Sequence, residues 1–389
     1  MFRTLGGAAA GLTLVAIAAA PAQAATSWAV LSTPNRGTIA NELYGSAALS
    51  ASAGWAVGSW YDTGLAAPRT LIERWNGTSW STVTSPNATQ YYNELRDVDA
   101  TSASSAWAVG YANGSSGVNG SPRNALALRW NGTSWSTVAT PQPGVNFRQL
   151  YGVKAVATND AWAVGWYYDS SLHGEALILH WNGTAWTQVT APDPGTSGNT
   201  LESVAGTAAN DLWAVGYYSN TGEKGVLAHP LAAHWNGTAW TETELPASGT
   251  GTFLHGVTAL SANDVWAVGS KNGYSAPVAY HWNGTAWSEA PTAPTGGTGN
   301  NVLYGVSGTA GNVWAVGYTS AGGRSQPLVQ RWNGTAFTDE TVPQQEIGGV
   351  LYSVAATSGP TVFAAGTRSD LNESGSLTDR TLSLRGTGS

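Results

Sequence analysis

Apolar and polar positions along this chain alternate with period two in short runs, broken by turn residues, and the same series of runs keeps returning. One run built on Trp-Ala-Val-Gly starts at Trp55, Trp107, Trp162, Trp213, Trp266 and Trp314, with a worn seventh copy at Phe363-Ala364-Ala365-Gly366, so that copies stand 48 to 55 residues apart. Period-two alternation predicts strands, and a repeat of roughly 50 residues made of strands and turns predicts a β-propeller with one blade per repeat. The fold class expected is therefore all-β: a seven-bladed β-propeller of four-stranded antiparallel blades.

The third repeat serves as the pattern. Leu150 to Val156 alternates and forms the innermost strand, Asn159-Asp160 a turn, and Ala161 to Gly165 the second strand. A polar loop from Trp166 to Glu175 leads to a third strand, Ala176 to Trp181, and Asn182-Gly183 then predicts a type I′ turn into a fourth, Thr184 to Val189. The Trp-Asn-Gly-Thr hairpin returns at Trp75, Trp130, Trp181, Trp235, Trp282 and Trp332. Asn-Gly-Thr is also a glycosylation sequon, but six copies at one turn position are accounted for by turn chemistry.

The last repeat stops after its third strand, Leu382 to Arg385, while Thr26-Ser27-Trp28 near the start matches the fourth-strand sequence Thr78-Ser79-Trp80. The N-terminal strand is therefore expected to complete the last blade and close the ring. Eighteen of the twenty tryptophans fall at repeat positions, which marks them as filling between blades and leaves only Trp60 and Trp166 outside that register.

Asn-Asp-x-Trp-Ala-Val-Gly followed by Trp-Asn-Gly-Thr-x-Trp resembles the Trp-rich propeller repeats of secreted actinobacterial proteins. The best copies are Asn159 to Gly165, Asn210 to Gly216 and Asn263 to Gly269, and the resemblance spans residues 26 to 385. It implies a propeller and no particular activity. The period is kelch-like, but the paired glycines of kelch, the Gly-His and Trp-Asp of WD repeats and the sialidase Asp-box are missing.

Residues 1–24 read as a signal peptide: Arg3, an apolar stretch from Leu5 to Ala20, and the cleavage pattern Ala22-Gln23-Ala24. Residues 25–389 then form a single propeller, secreted, with no membrane insertion after cleavage. The chain has no cysteine, which removes disulfides, thiol nucleophiles and thiolate metal sites. With 10% charged residues and net charge −7, no basic face invites nucleic acid. A monomer without cofactor is expected, and no metal is expected either. His229 and His234 have opposite strand parity, and Asp97 and Asp99 lack the spacing of a Ca²⁺ loop.

Three features carry candidate chemistry. A basic residue precedes each third-strand tryptophan (Arg74, Arg129, His180, His234, His281, Arg331 and, by alignment, Arg385), and such strict repetition argues for architecture. The loops beside the channel mouth turn aromatic, with Trp60, Tyr61, Tyr92, Tyr111, Trp166, Tyr168, Tyr218, Tyr274 and Tyr318 among short polar residues. Aromatic faces beside such neighbours suit sugar rings, and suit a protein partner as well. The position after the inner-strand leucine reads Tyr44, Arg96, Tyr151, Glu202, His255, Tyr304 and Tyr352; Arg96, Glu202 and His255 break the tyrosine pattern there, as channel-lining residues of acid–base type. The reading that follows is a non-catalytic module that binds an extracellular glycan or cell-wall polysaccharide through the loop aromatics. The alternatives are a protein-binding propeller, or a glycosidase or polysaccharide lyase using Glu202, His255 and a channel tyrosine.

Overall fold

The computed structural model describes residues 26–65, 67–115, 122–222, 227–246, 249, 251–293, 299–372 and 374–388, and in these the chain is all strand and turn. The expected signal peptide, residues 1–24, lies outside them. Four-strand antiparallel meanders succeed one another around a central channel, each running from an inner strand to a short outer one. The first is Ala40–Ser50, Ala53–Tyr61, Arg69–Trp75 and Trp80–Thr82.

The sheet inventory corrects the expected seven separate four-stranded blades. Among the described residues there are five four-stranded sheets and one eight-stranded sheet. The eight-stranded sheet contains two meanders, from Gln149–Ala157 to Trp186–Val189 and from Gly198–Ala208 to Trp240–Glu242, joined by one parallel pair, Gly174 opposite Gly198. Neither residue has a side chain to hold the strands apart. A Cβ on Gly174 would lie 3.4 Å from the Gly198 Cα.

Ring closure is a second correction. Thr26–Leu31 lies antiparallel on Leu377–Gly388, with Thr26 opposite Gly388, as the outer edge of the last sheet. Its Trp28 turns back to Trp314 of the preceding sheet, 5.6 Å away. What shuts the ring is the first sheet packing its own face on the last. Trp75 stands 5.5 Å from Phe363, Trp80 donates to Ser383 Oγ at 3.1 Å, and the Ser46 backbone N–H donates to Ser353 Oγ at 3.0 Å. Of the N-terminal strand, only Leu31 reaches that core cluster.

The tryptophan walls are as the repeat predicts. Trp107 sits with its ring centroid 4.9 Å from both Trp181 and Trp186 of the next sheet, and Trp55 repeats the contact with Trp130 and Trp135 at 5.1 and 5.2 Å. Edge-on and tilted rings at these spacings fill the wedge between sheets with favourable quadrupole geometry.

The hairpin differs from the expected type I′ turn. Trp181 pairs with Trp186, so four residues form the loop, and Gly183 alone of the Asn-Gly pair has positive φ, 96°. Asn182 Oδ1 instead accepts the backbone N–H groups of Thr184 and Ala185, both at 3.0 Å. The side chain stands in for a backbone acceptor, which releases Asn182 from the left-handed conformation.

Candidate functional site: the channel ring

Each inner strand contains a β-bulge at the same place. In the third meander Leu150 pairs with Gly165 and Gly152 with Val164, leaving Tyr151 as the extra residue. The same shift isolates Tyr44, Arg96, Glu202, His255, Tyr304 and Tyr352. A bulge bends the strand and re-aims the extra side chain. It also brings the inner strand's carbonyl onto the facing strand: a Cβ on Gly165 would lie 1.9 Å from Gln149 O. The glycine that closes Trp-Ala-Val-Gly is thus the counterpart of the bulge, and the bulge is what builds the channel ring.

All seven bulged side chains line one polar cavity of about 590 Å³. Tyr44 lies 5.2 Å from Tyr352, Tyr352 5.3 Å from Tyr304, and Tyr304 5.1 Å from His255. The Arg96 guanidinium rests over Tyr44 at 4.5 Å, with Tyr111 and Tyr151 within 6 Å. Glu202 and His255, on neighbouring inner strands, meet at 2.8 Å through His255 Nδ1. Arg96, Glu202 and His255 thus belong to one site.

The ring is held by side chains that cap the exposed inner edges of neighbouring strands. Asp97 Oδ2 accepts the Val153 N–H at 2.9 Å, Asp99 Oδ2 accepts the Ala155 N–H and the Lys154 ammonium, both at 2.9 Å, and Ser203 Oγ accepts the Val257 N–H at 3.2 Å. An inner strand has a free row of backbone donors, and these contacts satisfy part of it. Burial pushes the Asp97 carboxyl up to about 7, against the opposing pull of its backbone donors. Burial likewise raises Tyr151 and Tyr352 to about 12, so the ring phenols are protonated donors at neutral pH.

One sector is acidic in a way the sequence reading did not single out. Glu94, 1% exposed, accepts from the Tyr92 and Tyr111 hydroxyls and pairs with Arg96 Nε at 2.6 Å. Glu42 accepts from Tyr44 at 2.7 Å and Ser59 at 3.3 Å, and burial raises its pKa. Both stand just before the inner-strand leucine, where the other repeats carry Gln149, Thr200, Phe253, Val302 and Val350. That position has no consensus, so the only signal for them is a carboxylate two places before the bulged residue.

The loop aromatics divide. Tyr92 stacks on Tyr111 at 5.7 Å, Trp166 Nε1 donates to the Tyr151 hydroxyl at 2.9 Å with Tyr168 edge-on at 4.8 Å, and Tyr318 lies 6.0 Å from Tyr304. Tyr274, in a turn at φ 74°, stacks on Phe253 at 4.6 Å and lies 6.5 Å from His255. These six extend the channel ring outward. Trp60 instead lies under Arg36 at 4.8 Å against the seam core, Tyr61 takes the Ile39 N–H on its backbone carbonyl, and Tyr218 stacks on His229 at 4.9 Å.

The repeated basic residues stack on the walls. His180, His234 and His281 lie 4.1, 4.4 and 4.2 Å from Trp162, Trp213 and Trp266, and Arg331 sits 4.5 Å over Trp314. Elsewhere, ligand atoms of Asp169, His173 and Glu175 come within 4.8 Å of one another, but Asp169 Oδ1 already accepts the N–H groups of Ser171 and His173, which makes it a turn former.

No family model matches the chain, and no curated protein matches it. Solved structures do. The chain is similar to "YCF48 bound to D1 peptide" (TM-score 0.52, 13% identity, 94% of this chain and 97% of that one) and to YCF48 from Cyanidioschyzon merolae (0.53, 16%, 92% and 98%). It is similar as well to a PL25 ulvan lyase structure bound to -[GlcA(1-4)Rha3S]- (0.51, 10%, 90% and 95%). At these identities the likeness shows the propeller fold alone.

Proposed function

We propose that the protein is an exported, monomeric binding module that holds a glycan chain at the mouth of the channel. The observation that carries this is the ring itself: four tyrosines, an arginine, a glutamate and a histidine around one cavity of about 590 Å³. Such a volume takes a ligand of one or two sugar rings, with aromatic walls for the C–H faces and fixed polar groups for the hydroxyls. Among the described residues the large exposed apolar side chains are Val30, Val145, Leu172, Leu371 and Leu377, none of them on the ring, so it offers a partner polar contacts and ring faces.

A glycan and cell-wall polysaccharide array with the secreted protein tests it. A saturable hit weakened at least about tenfold by Tyr151→Ala, with the thermal midpoint retained, supports the reading; that loss is worth about 1.4 kcal/mol. A blank array, or a hit indifferent to Tyr151, overturns it, and a polypeptide partner, the ligand named for one YCF48 structure, is then sought in culture supernatant.

One contact favours a second reading. Glu202 holds His255 by Nδ1, and a carboxylate in that position fixes the tautomer that leaves Nε2 as a base. A pH-dependent polysaccharide cleavage abolished by Glu202→Gln establishes it; no cleavage of any array hit removes it.

A further inference from the structure

The strand ends away from the channel mouth carry a second cavity. It is a groove of about 310 Å³ between the sheet of Phe253–Ser261, Asp264–Lys271, Ala276–Trp282 and Trp287–Ala290 and the sheet that follows it. Asn263, Asp264, His281 and Asn283 supply its polar side chains, Trp266 and Trp332 its aromatic wall, and Gly311 lines it from the following sheet. We infer that this groove is a binding site for a single neutral sugar residue, separate from the channel.

The chemistry follows from bonds already made. His281 Nε2 shares a hydrogen with Asp264 Oδ1 at 2.9 Å, and Trp266 Nε1 donates to the same oxygen at 2.8 Å. Asp264 Oδ2 and His281 Nδ1 are then left to accept from ligand hydroxyls. Asn283 spends its Oδ1 on the N–H groups of Thr285 and Ala286, at 2.9 and 3.0 Å, which turns its Nδ2 outward as a donor. An imidazole that accepts at Nδ1 is neutral, so the pair keeps the single negative charge of the carboxylate, which suits hydroxyl donors and turns an anion away. Two acceptors on Asp264 and His281, the amides of Asn263 and Asn283 and the half-buried Trp332 face match a pyranose, which has hydroxyls on its rim and C–H bonds on its faces.

Two sister grooves show what is particular about this one. Asp160, His180 and Trp235 repeat the set in one, and Asp211, His234 and Trp282 in the next, with His–Asp distances of 2.9 and 2.8 Å. At the place of Gly311 those grooves carry Asn210 and Asn263. Gly311 stands at φ 74°, and a Cβ built on it meets no atom within 4 Å. The turn is open here where the sisters place an amide side chain.

The test is titration of the intact secreted protein with methyl glycosides of neutral hexoses and 6-deoxyhexoses, by calorimetry and ligand-detected NMR. Two variants borrow residue types from the sister repeats, and a retained thermal midpoint shows that each still folds. His281→Arg installs what Arg74, Arg129 and Arg331 already are, and Gly311→Asn installs the sister residue type at a positive φ that Asn210 and Asn263 do not adopt but that asparagine accepts. One saturable site, weakened at least tenfold by each variant and unmoved by Tyr151→Ala, is the expected result. No binding by any neutral methyl glycoside overturns the inference, as does binding that both variants leave unchanged. A site lost with Tyr151→Ala instead belongs to the channel and overturns it too.

Discussion

The channel ring and the faces between sheets treat buried charge in opposite ways. In the ring, Glu94 is surrounded by two phenols and a guanidinium, Glu42 by a phenol and a serine hydroxyl, Asp97 by backbone N–H groups, and Glu202 by an imidazole. Between the first and last sheets, Glu73 is fully buried and both of its oxygens lack a hydrogen-bond partner. Its cross-strand partner Ala56 and its near neighbour Leu71 belong to the seam cluster with Phe363 and Ala365. Departures from the repeat are thus of two kinds. Those in the ring come with partners, as a site requires; at the packing-face position of Glu73, Gln330 donates to Asp339 and Tyr280 to the Pro246 carbonyl, while Glu73 itself has no partner and is a defect in the wall rather than a second site.

The largest effect expected from breaking this contrast falls on the walls, where repetition is strictest. Trp107→Ala removes a ring in contact with both Trp181 and Trp186 and leaves a void that close-packed neighbours cannot fill. Urea unfolding should show a loss of about 3–5 kcal/mol. A loss below about 1 kcal/mol would mean that the sheets slide to close the gap and that the walls are not the source of rigidity.

Glu73 gives the next effect, with opposite sign. Burial pushes its carboxyl up to about 8, against 4.5 ordinarily. A native-state pKa above the unfolded value means that the penalty is absent below pH 4.5 and grows as pH rises through 8. Leu128 and Leu179 occupy the equivalent position in other repeats, so Glu73→Leu fits the packing. The variant should be more stable than the parent by about 2–4 kcal/mol at pH 8.5, an advantage that shrinks toward pH 4.5. Equal pH slopes for the two proteins would show that Glu73 finds a donor in solution.

How much of this was legible in the sequence depends on whether a feature repeats. The propeller architecture and the Trp walls follow from a period and an alternation that every repeat restates. The division into sheets does not, because it turns on a backbone approach between Gly174 and Gly198 that no pattern of side chains announces. The seam was misleading for a related reason: Trp28 sits where its repeat predicts, yet the first sheet's own face closes the ring. At the site, Arg96, Glu202 and His255 stand out as breaks in a tyrosine column, and the bulge explains why that column is the ring. Glu42 and Glu94 stand two places earlier in a column with no consensus, and their meaning needs the partners that only the fold brings. Loop aromatics were the weakest signal: Tyr218 and Trp60 have the same local composition as Tyr274 and Trp166 and end elsewhere, since a loop's direction is set by contacts distant in sequence.

The smallest effect separates the two causes that make a repeated residue invariant within this chain. Gly183 and Gly334 close equivalent hairpins with φ of 96° and 98°. Alanine at either pays the same left-handed strain, roughly 1–2 kcal/mol. At Gly334 a new Cβ meets no atom within 4 Å, whereas at Gly183 it comes within 3.1 Å of the Asn159 Cβ. Thermal unfolding should therefore show Gly334→Ala destabilised by strain alone and Gly183→Ala by a few tenths of a kcal/mol more, since Asn159 sits on a turn and can yield. If the two variants match, the hairpin glycines are there for backbone conformation only, and the hairpin is free to move relative to the neighbouring turn. If Gly183→Ala is much the worse, by about 1 kcal/mol or more, the turn and hairpin are locked together. That outcome would make the strand ends away from the channel a rigid surface, the condition that the groove beside His281 needs in order to hold a sugar in one orientation.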